Sequence, residues 1–339
     1  MSITVAPVGH SRILSVGTYR PKRVVPNSEI VDRIDSTDEW IVQRTGIESR
    51  RFAGDDETVI SMAKAACEIA LKRAKLTIAD IDTVILSTIS YPFQAPSAAT
   101  ELINELGNPK AAAFDISAAC AGFCYGVAMG SDLVRSGTSK NVLVIGVEKL
   151  SDYTDPDDRA TAFIFADGAG AVVIGQSDQP RIGQTIWGSD ADSRDAITLT
   201  PSFLDFKKNP DKGVTELGWP NISQQGQVVF RWAVYSMSKV GLQALEAAGV
   251  SVDELGAFIP HQANVRIIET MAKEMKIPDS VLIADDIRTN GNTSAASIPL
   301  AMDRILEEHP ELHGKLALLI GYGAGLVYAG QVVELPPKP

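Results

Sequence analysis

The sequence predicts an α/β fold built from two similar halves joined end to end. Three observations carry this. Short apolar runs of strand character alternate with stretches of helical periodicity along the whole chain. The same order of elements occurs twice. The glycine-rich phrases Phe165-Ala-Asp-Gly-Ala-Gly170 and Gly321-Tyr-Gly-Ala-Gly325 stand at matching places, each entering the last strand of its half.

In the first half, periodicity predicts a helix over 57–75, followed by the apolar run 83–88 as a strand. A helix over 97–106 leads to a short strand at 112–116, and a helix over 120–136 leads to a strand at 141–146. The last strand covers 169–175. The second half repeats the series. A helix over 229–248 precedes a strand at 257–260, a helix over 265–275 precedes a strand at 280–283, and a helix over 294–308 precedes a strand at 316–320. A closing strand runs over 326–335.

This reads as an internal duplication with a period too long for a solenoid. Each unit has about 150 residues, an ordinary domain size. The halves span 1–177 and 229–339, and their sheets bury against shared central helices. Segment 178–228, rich in Asp, Ser, Gly and Pro, is expected to be an irregular bridge. The competing explanation is a chance alternation of α and β elements.

Duplication also fixes geometry, because ligands collect at strand carboxyl ends and helix amino ends. Cys120 lies between a strand and the next helix, Asn292 lies at the same place in the second half, and His261 directly follows a strand. All three are therefore expected on one side of the molecule.

Composition narrows the function. With 339 residues and 45% hydrophobic content, the chain can bury a large core. Its net charge of −11 argues against duplex nucleic acid as a partner, although it leaves room for a local basic patch. Three cysteines, Cys67, Cys120 and Cys124, suit a reducing compartment better than a disulfide framework, and no Cys/His cluster has zinc spacing. Residues 1–10 lack a basic flank and an apolar core of leader length. No apolar run reaches the roughly 18 residues of a membrane span. The expected location is the cytoplasm.

Four places carry chemistry. Cys120, in Ser117-Ala-Ala-Cys-Ala-Gly-Phe123, stands among small residues at a helix start, where the dipole favours the thiolate. Alone, it is as compatible with a small core residue, which is how Cys67 and Cys124 read. His261, in Pro260-His-Gln-Ala-Asn264, is the one histidine at a strand end. His10 lies in an N-terminus expected to fray, while His309 and His313 flank a polar loop. By itself His261 suits a structural hydrogen bond, and Asn292, in Gly291-Asn-Thr-Ser-Ala-Ala-Ser297, suits a helix cap. The glycines of 321–325 let backbone N–H groups approach a ligand or form a tight turn.

Together with Asp38-Glu-Trp-Ile-Val-Gln-Arg-Thr-Gly-Ile47, these motifs resemble the β-ketoacyl-ACP synthase III family, in order and spacing from about Ile13 to Val333. The resemblance implies a thiolase fold, two duplicated halves stacked as a five-layered αβαβα body. It implies that an acyl-CoA primer is joined to malonyl-ACP by decarboxylative Claisen condensation. Cys120 would hold the acyl group, and His261 and Asn292 would stabilise the enolate left by carbon dioxide. The N–H groups of Cys120 and Ala324 would form the oxyanion hole, although the family usually has Gly where Ala324 stands.

By the same resemblance, Trp40 and Arg159 would sandwich the CoA adenine, and Arg44 and Thr45 would lie at the CoA mouth. Gly226, Phe230, Arg231, Asn264 and Arg266 would line the pantetheine tunnel or its rim. Gln262, Arg266 and Lys273 would meet the acidic carrier protein, with Glu274 where a second Lys is sometimes found. Ala95, before Pro96-Ser97, would cap the acyl pocket of a partner subunit in a homodimer. With Phe93 and Gln94 before it, it is expected to leave room for primers longer than acetyl. The resemblance implies neither cofactor nor metal, since acyl-CoA and malonyl-ACP are substrates.

Two rival readings stand beside this one. Starter-unit synthases of polyketide and secondary-metabolite pathways share the Cys–His–Asn set, whereas elongating synthases carry a second His and hydroxymethylglutaryl-CoA synthases a catalytic Glu. A non-catalytic scaffold on the same fold would be expected to have lost its nucleophile.

Overall fold

The computed structural model describes residues 8–339. The first seven residues of the expected N-terminal half, and with them most of the stretch read for a leader, lie outside the described residues. The chain opens with β1 (His10–Tyr19), β2 (Arg23–Pro26), α1 (Asp38–Thr45), β3 (Ser49–Phe52) and α2 (Val59–Ala74). It continues with β4 (Thr83–Ser87), α3 (Ala98–Leu106), β5 (Ala112–Ile116), α4 (Gly122–Arg135), β6 (Asn141–Lys149) and β7 (Asp167–Ser177). A middle region holds β8 (Ile186–Ser189), β9 (Ile197–Thr200), α5 (Phe203–Lys208), α6 (Gly213–Leu217) and β10 (Asn221–Gln224). The second half has α7 (Gly226–Ala248), β11 (Leu255–Pro260), α8 (Val265–Glu274), β12 (Leu282–Ile283) and α9 (Ile287–Asn290). It closes with α10 (Ser297–Glu308), β13 (Leu316–Gly323) and β14 (Val327–Glu334).

Two five-stranded sheets have the same topology, β1-β7-β6-β4-β5 and β8-β14-β13-β11-β12. In each, four strands run one way and one, β7 or β14, runs against its two neighbours. Two differences from the sequence reading follow. His10 opens a strand paired to Ser177 instead of fraying. The segment 178–228 is not wholly irregular, because its β8 forms the edge of the second sheet against β14.

Period-2 alternation explains the layering. Val142 and Val144 of β6 face one core with Val172 and Ile174 of β7, while Leu143 and Ile145 face another. In the second sheet Ala317 and Leu319 share the first of these cores, while Leu318 and Ile320 meet α7 and α8. The shared core also contains Phe123 and Val127 of α4 and Ile298, Met302 and Ile305 of α10. Thus α4 and α10 lie between the sheets, α2 and α3 cover one outer face, and α7 and α8 cover the other. Both sheets are buried on two sides, which accounts for their nearly continuous apolar strands.

The two central helices begin alike. A 3₁₀ turn, Ala119–Ala121 or Ser294–Ala296, precedes each and opens on a residue of positive φ, 43° at Ala119 and 48° at Ser294. A β-carbon on Gly146 of β6 would fall 2.1 Å from Ala295 O. Only glycine lets the first sheet approach the second half's turn so closely.

Candidate active site

Aligning the two turns on Ala119 and Ser294 sets Cys120 opposite Ala295. Asn292 falls opposite Ser117, so the thiol and the carboxamide occupy staggered places, not equivalent ones. They still face one cavity of about 630 Å³, lined by Cys120, His261, Asn292, Ser294, Tyr322, Gly323 and Ala324. The convergence follows from the fold: the turns before α4 and α10, the end of β11 and the end of β13 meet at the same edge.

Cys120 is partly accessible, whereas Cys67 and Cys124 are buried. The helix start was expected to favour the thiolate, but burial dominates and pushes the Cys120 thiol up to about 12, as it does for Cys124. The nearby Ser294 hydroxyl lowers the Cys120 value and the Glu148 carboxylate raises it. Gly323 sits against the nucleophile, since a β-carbon there would lie 2.8 Å from both Cys120 Cβ and N. The 321–323 glycine phrase extends β13, bringing its backbone to the thiol before the chain reverses into β14.

His261 is 2% exposed, and burial holds its imidazole down at about 3, so the ring is neutral at neutral pH. Nδ1 lies 2.7 Å from Ser297 Oγ, at the first turn of α10. That oxygen accepts the Gln262 N–H at 3.3 Å. The serine hydrogen is thereby left for Nδ1, and Nε2 carries the ring N–H as a donor. Tyr322 packs edge-on against the ring at 5.1 Å. Asn292 Oδ1 accepts from Ser294 N at 2.8 Å, which leaves its NH₂ group as the free donor. The site thus has one thiol and two oriented, uncharged donors.

The mouth of the cavity gathers Trp40, Arg44, Thr45, Arg159, Gly226, Phe230, Arg231, Asn264 and Arg266. The guanidinium carbons of Arg44 and Arg159 stand 5.1 and 5.3 Å from the Trp40 ring centre, and that ring packs edge-on against Phe163. The buried Arg50 holds Phe163 in place by donating to its carbonyl at 3.0 Å. Thr45 is buried and spends its hydroxyl on Ile41 O, while Asn264 caps α8 and donates to Arg44 O. Arg266 lies over Phe230 at 5.6 Å. Arg266, Lys273 and Glu274 are exposed on α8.

One expectation changes. Gln262 cannot meet a carrier protein, because it is 1% exposed and its amide is committed to Pro260 O, Ala284 O and Ile287 N. Its burial follows from the tight turn after β11, which points it inward beside His261. Ala95 lies exposed on the loop between β4 and α3, and does not line this chain's own cavity.

Sequence reasoning missed the inner wall, formed by Ile89, Leu150, Phe165, Ile197 and Ile222. Ile197 and Ile222 come from the paired strands β9 and β10, so the middle segment closes the cavity. It also missed Ser297, although that residue ends a motif already singled out, and Glu148, whose signal was one acid inside an apolar strand. Among the described residues, no group of three or more His, Cys, Asp or Glu is placed to hold a metal ion. No helix among them is long and apolar enough to cross a membrane.

Residues 114–191 match the 3-oxoacyl-[acyl-carrier-protein] synthase III family model, and residues 245–335 match the C-terminal model of the same family. The chain is 54% identical to β-ketoacyl-[acyl-carrier-protein] synthase III 1 of Streptomyces coelicolor, covering 96% of this chain and 97% of that protein. It is 49% identical to the mycobacterial β-ketoacyl-[acyl-carrier-protein] synthase III of Mycobacterium avium, over 96% of each. Its fold matches the priming β-ketosynthase of the R1128 polyketide biosynthetic pathway at a TM-score of 0.96, with 42% identity over 100% of both chains. Similarity of this extent, spanning both halves and every motif around the thiol, means that the chain belongs to the 3-oxoacyl-[acyl-carrier-protein] synthase III family of thiolase-fold condensing enzymes.

Proposed function

We propose that this chain joins an acyl-CoA primer to malonyl-ACP by decarboxylative Claisen condensation, giving β-ketoacyl-ACP, carbon dioxide and CoA at the start of type II fatty acid synthesis. The observation that carries this reading is the convergence of a partly accessible thiol, a neutral imidazole and an oriented carboxamide on one cavity. In this reading Cys120 attacks the primer thioester and keeps the acyl group. His261 Nε2 and the Asn292 amide donate to the malonyl thioester oxygen as carbon dioxide leaves. Neutral donors suit that task, because the developing enolate needs hydrogen bonds already aimed at it. The carbanion then attacks the acyl-Cys120 carbonyl, whose oxygen is held by the Cys120 and Ala324 N–H groups. Ala324 keeps the backbone donor that glycine would supply.

Trp40, Arg44 and Arg159 form the adenine platform, with Thr45 buried behind it. Gly226, Phe230, Arg231 and Asn264 border the pantetheine path, and exposed Arg266 and Lys273 offer positive charge to the carrier protein. The steps are thioester chemistry and call on no cofactor. We read the chain as two fused halves, 1–177 and 229–339, joined by the 178–228 segment, which lends β8 to the second sheet and β9 and β10 to the cavity wall. We further read the protein as a cytoplasmic homodimer in which Ala95 reaches the partner's acyl pocket.

The five apolar wall residues support primers longer than acetyl. In a condensation assay with malonyl-ACP, C4 and longer acyl-CoAs are expected to be used at least as well as acetyl-CoA. Turnover of acetyl-CoA alone among C2–C12 primers would contradict this. A second reading, a starter-unit synthase for polyketides, is favoured by the similarity to the R1128 priming enzyme. Exclusive loading of a polyketide-pathway carrier protein, with the fatty-acid carrier refused, would select it.

A further inference from the structure

Beside the thiol lies a polar arrangement that the condensation scheme does not use. Glu148, near the end of β6, is completely buried. Its Oε2 accepts from Ser90 Oγ at 2.6 Å, from Thr88 Oγ1 at 3.1 Å and from Ile89 N at 3.1 Å. Among the described residues, no cation pairs with it. The Ser294 side chain, 1% exposed, adjoins both this carboxylate and the Cys120 thiol, yet its hydroxyl is bonded to neither in the resting arrangement. A buried, unpartnered hydroxyl between an acid and a nucleophile is costly unless it is used. His261 does not compete for the thiol proton, since its Nε2 already carries a hydrogen.

We propose that Ser294 and Glu148 form the proton path of the Cys120 thiol. The inference rests on the condensing role proposed above and adds where the proton goes. Sγ–H passes its proton to Ser294 Oγ, and the serine's own proton passes to Glu148 Oε2, leaving the electron pair on sulfur. The thiolate then attacks the primer carbonyl, and the carbon–sulfur bond to CoA breaks. The departing CoA thiolate takes a proton from solvent, which is the one proton the overall condensation consumes. Glu148 keeps the original proton until Cys120 leaves the tetrahedral intermediate in the second step, and then returns it through Ser294.

The surroundings of Glu148 suit an acceptor that works near neutrality. Burial raises its carboxyl to about 7, against the lowering by its hydrogen bonds from Ser90, Ile89 and Thr88 and by the adjoining Ser294 hydroxyl. The titratable groups facing it are the Cys120 thiol, from the turn before α4, and the Tyr153 phenol, from the turn after β6. Lys149 turns away to donate to Gly54 O, and Asp167 of β7 is held by Ser151 Oγ and Ala53 N.

The test is the pH profile of iodoacetamide alkylation at Cys120, which needs neither substrate nor turnover and so fails independently of the condensing reading. In the unaltered protein the rate should rise through about pH 7 and level off as Glu148 ionises. In Glu148→Gln the plateau should vanish, with a rate about 10²-fold lower at pH 7.5. Simple electrostatics predicts the opposite sign, because the Glu148 charge raises the thiol value and its removal would make Cys120 more reactive. Faster alkylation, or an unchanged profile, in Glu148→Gln overturns the path. Ser294→Ala gives an independent check, and Ala119 carries the same positive φ with a methyl side chain, so the turn tolerates it. Its profile should also lose the inflection near pH 7. A curve merely displaced upward, with that inflection kept, refutes the relay even if Glu148→Gln fails to fold.

Discussion

In a Cys120→Ala variant, no acyl group should stay on the protein after exposure to acyl-CoA, and condensation should fall on the order of 10⁴-fold or more, because the covalent step is gone. His261→Ala and Asn292→Ala should behave differently. Each removes one oriented donor from the malonyl side, so each should cost about 10²–10³-fold in carbon dioxide release while acylation of Cys120 proceeds. The contrast follows from the positions of the groups: the thiol belongs to the turn before α4, whereas the donors come from the end of β11 and the turn before α10. The pH dependence has a definite sign. His261 lies far down, at about 3, because of burial, so its donor form is complete above about pH 4 and malonyl decarboxylation should show no imidazole inflection between pH 5 and 8. Measuring released carbon dioxide separately from protein acylation checks both. Equal loss of the two half-reactions in His261→Ala would contradict the division of labour.

Gly323→Ala is expected to have the next largest effect, from a single methyl group. Its β-carbon would stand 2.8 Å from Cys120 Cβ and N and 3.0 Å from Sγ. Two backbones and a side chain are involved, so no flexible tip can yield. The nucleophile or the end of β13 must move, and a displacement of this order at a reacting atom typically costs about 10²-fold. The loss should appear in the single-turnover acylation rate, with the thermal midpoint lowered but folding retained. An acylation rate within twofold of the unaltered protein would mean that β13 does not set the position of Cys120.

The fold was largely legible in the sequence because both sheets are buried on two faces, which leaves continuous apolar runs such as 142–147 and 317–320. The duplication was visible in element order. Less visible was β8, four residues inside a polar segment, whose place at a sheet edge depends on pairing with β14. The strands β9 and β10 were hidden for the same reason, although they complete the cavity wall. Around the thiol, the motifs marked Cys120, His261 and Asn292, but the polarity of the thiol shift was misread. Burial raises the thiol, and the Ser294 hydroxyl and the backbone lower it by less. Gln262 looked like a surface amide because it neighbours His261 in a polar motif, and only the turn after β11 turns it inward. Ser297 and Glu148 act on the site from 36 residues beyond His261 and from near the end of β6, where no local pattern points to them.

The central claim is that one thiol receives the primer and gives it up to a decarboxylated malonyl unit. Intact-mass spectrometry in two stages tests it most directly. Exposure to an acyl-CoA should add one acyl mass, located on Cys120 by peptide mapping. Addition of malonyl-ACP should then remove that mass and return it, two carbons longer, on the carrier protein. An acyl adduct on another residue, or one that malonyl-ACP leaves in place, would contradict the account.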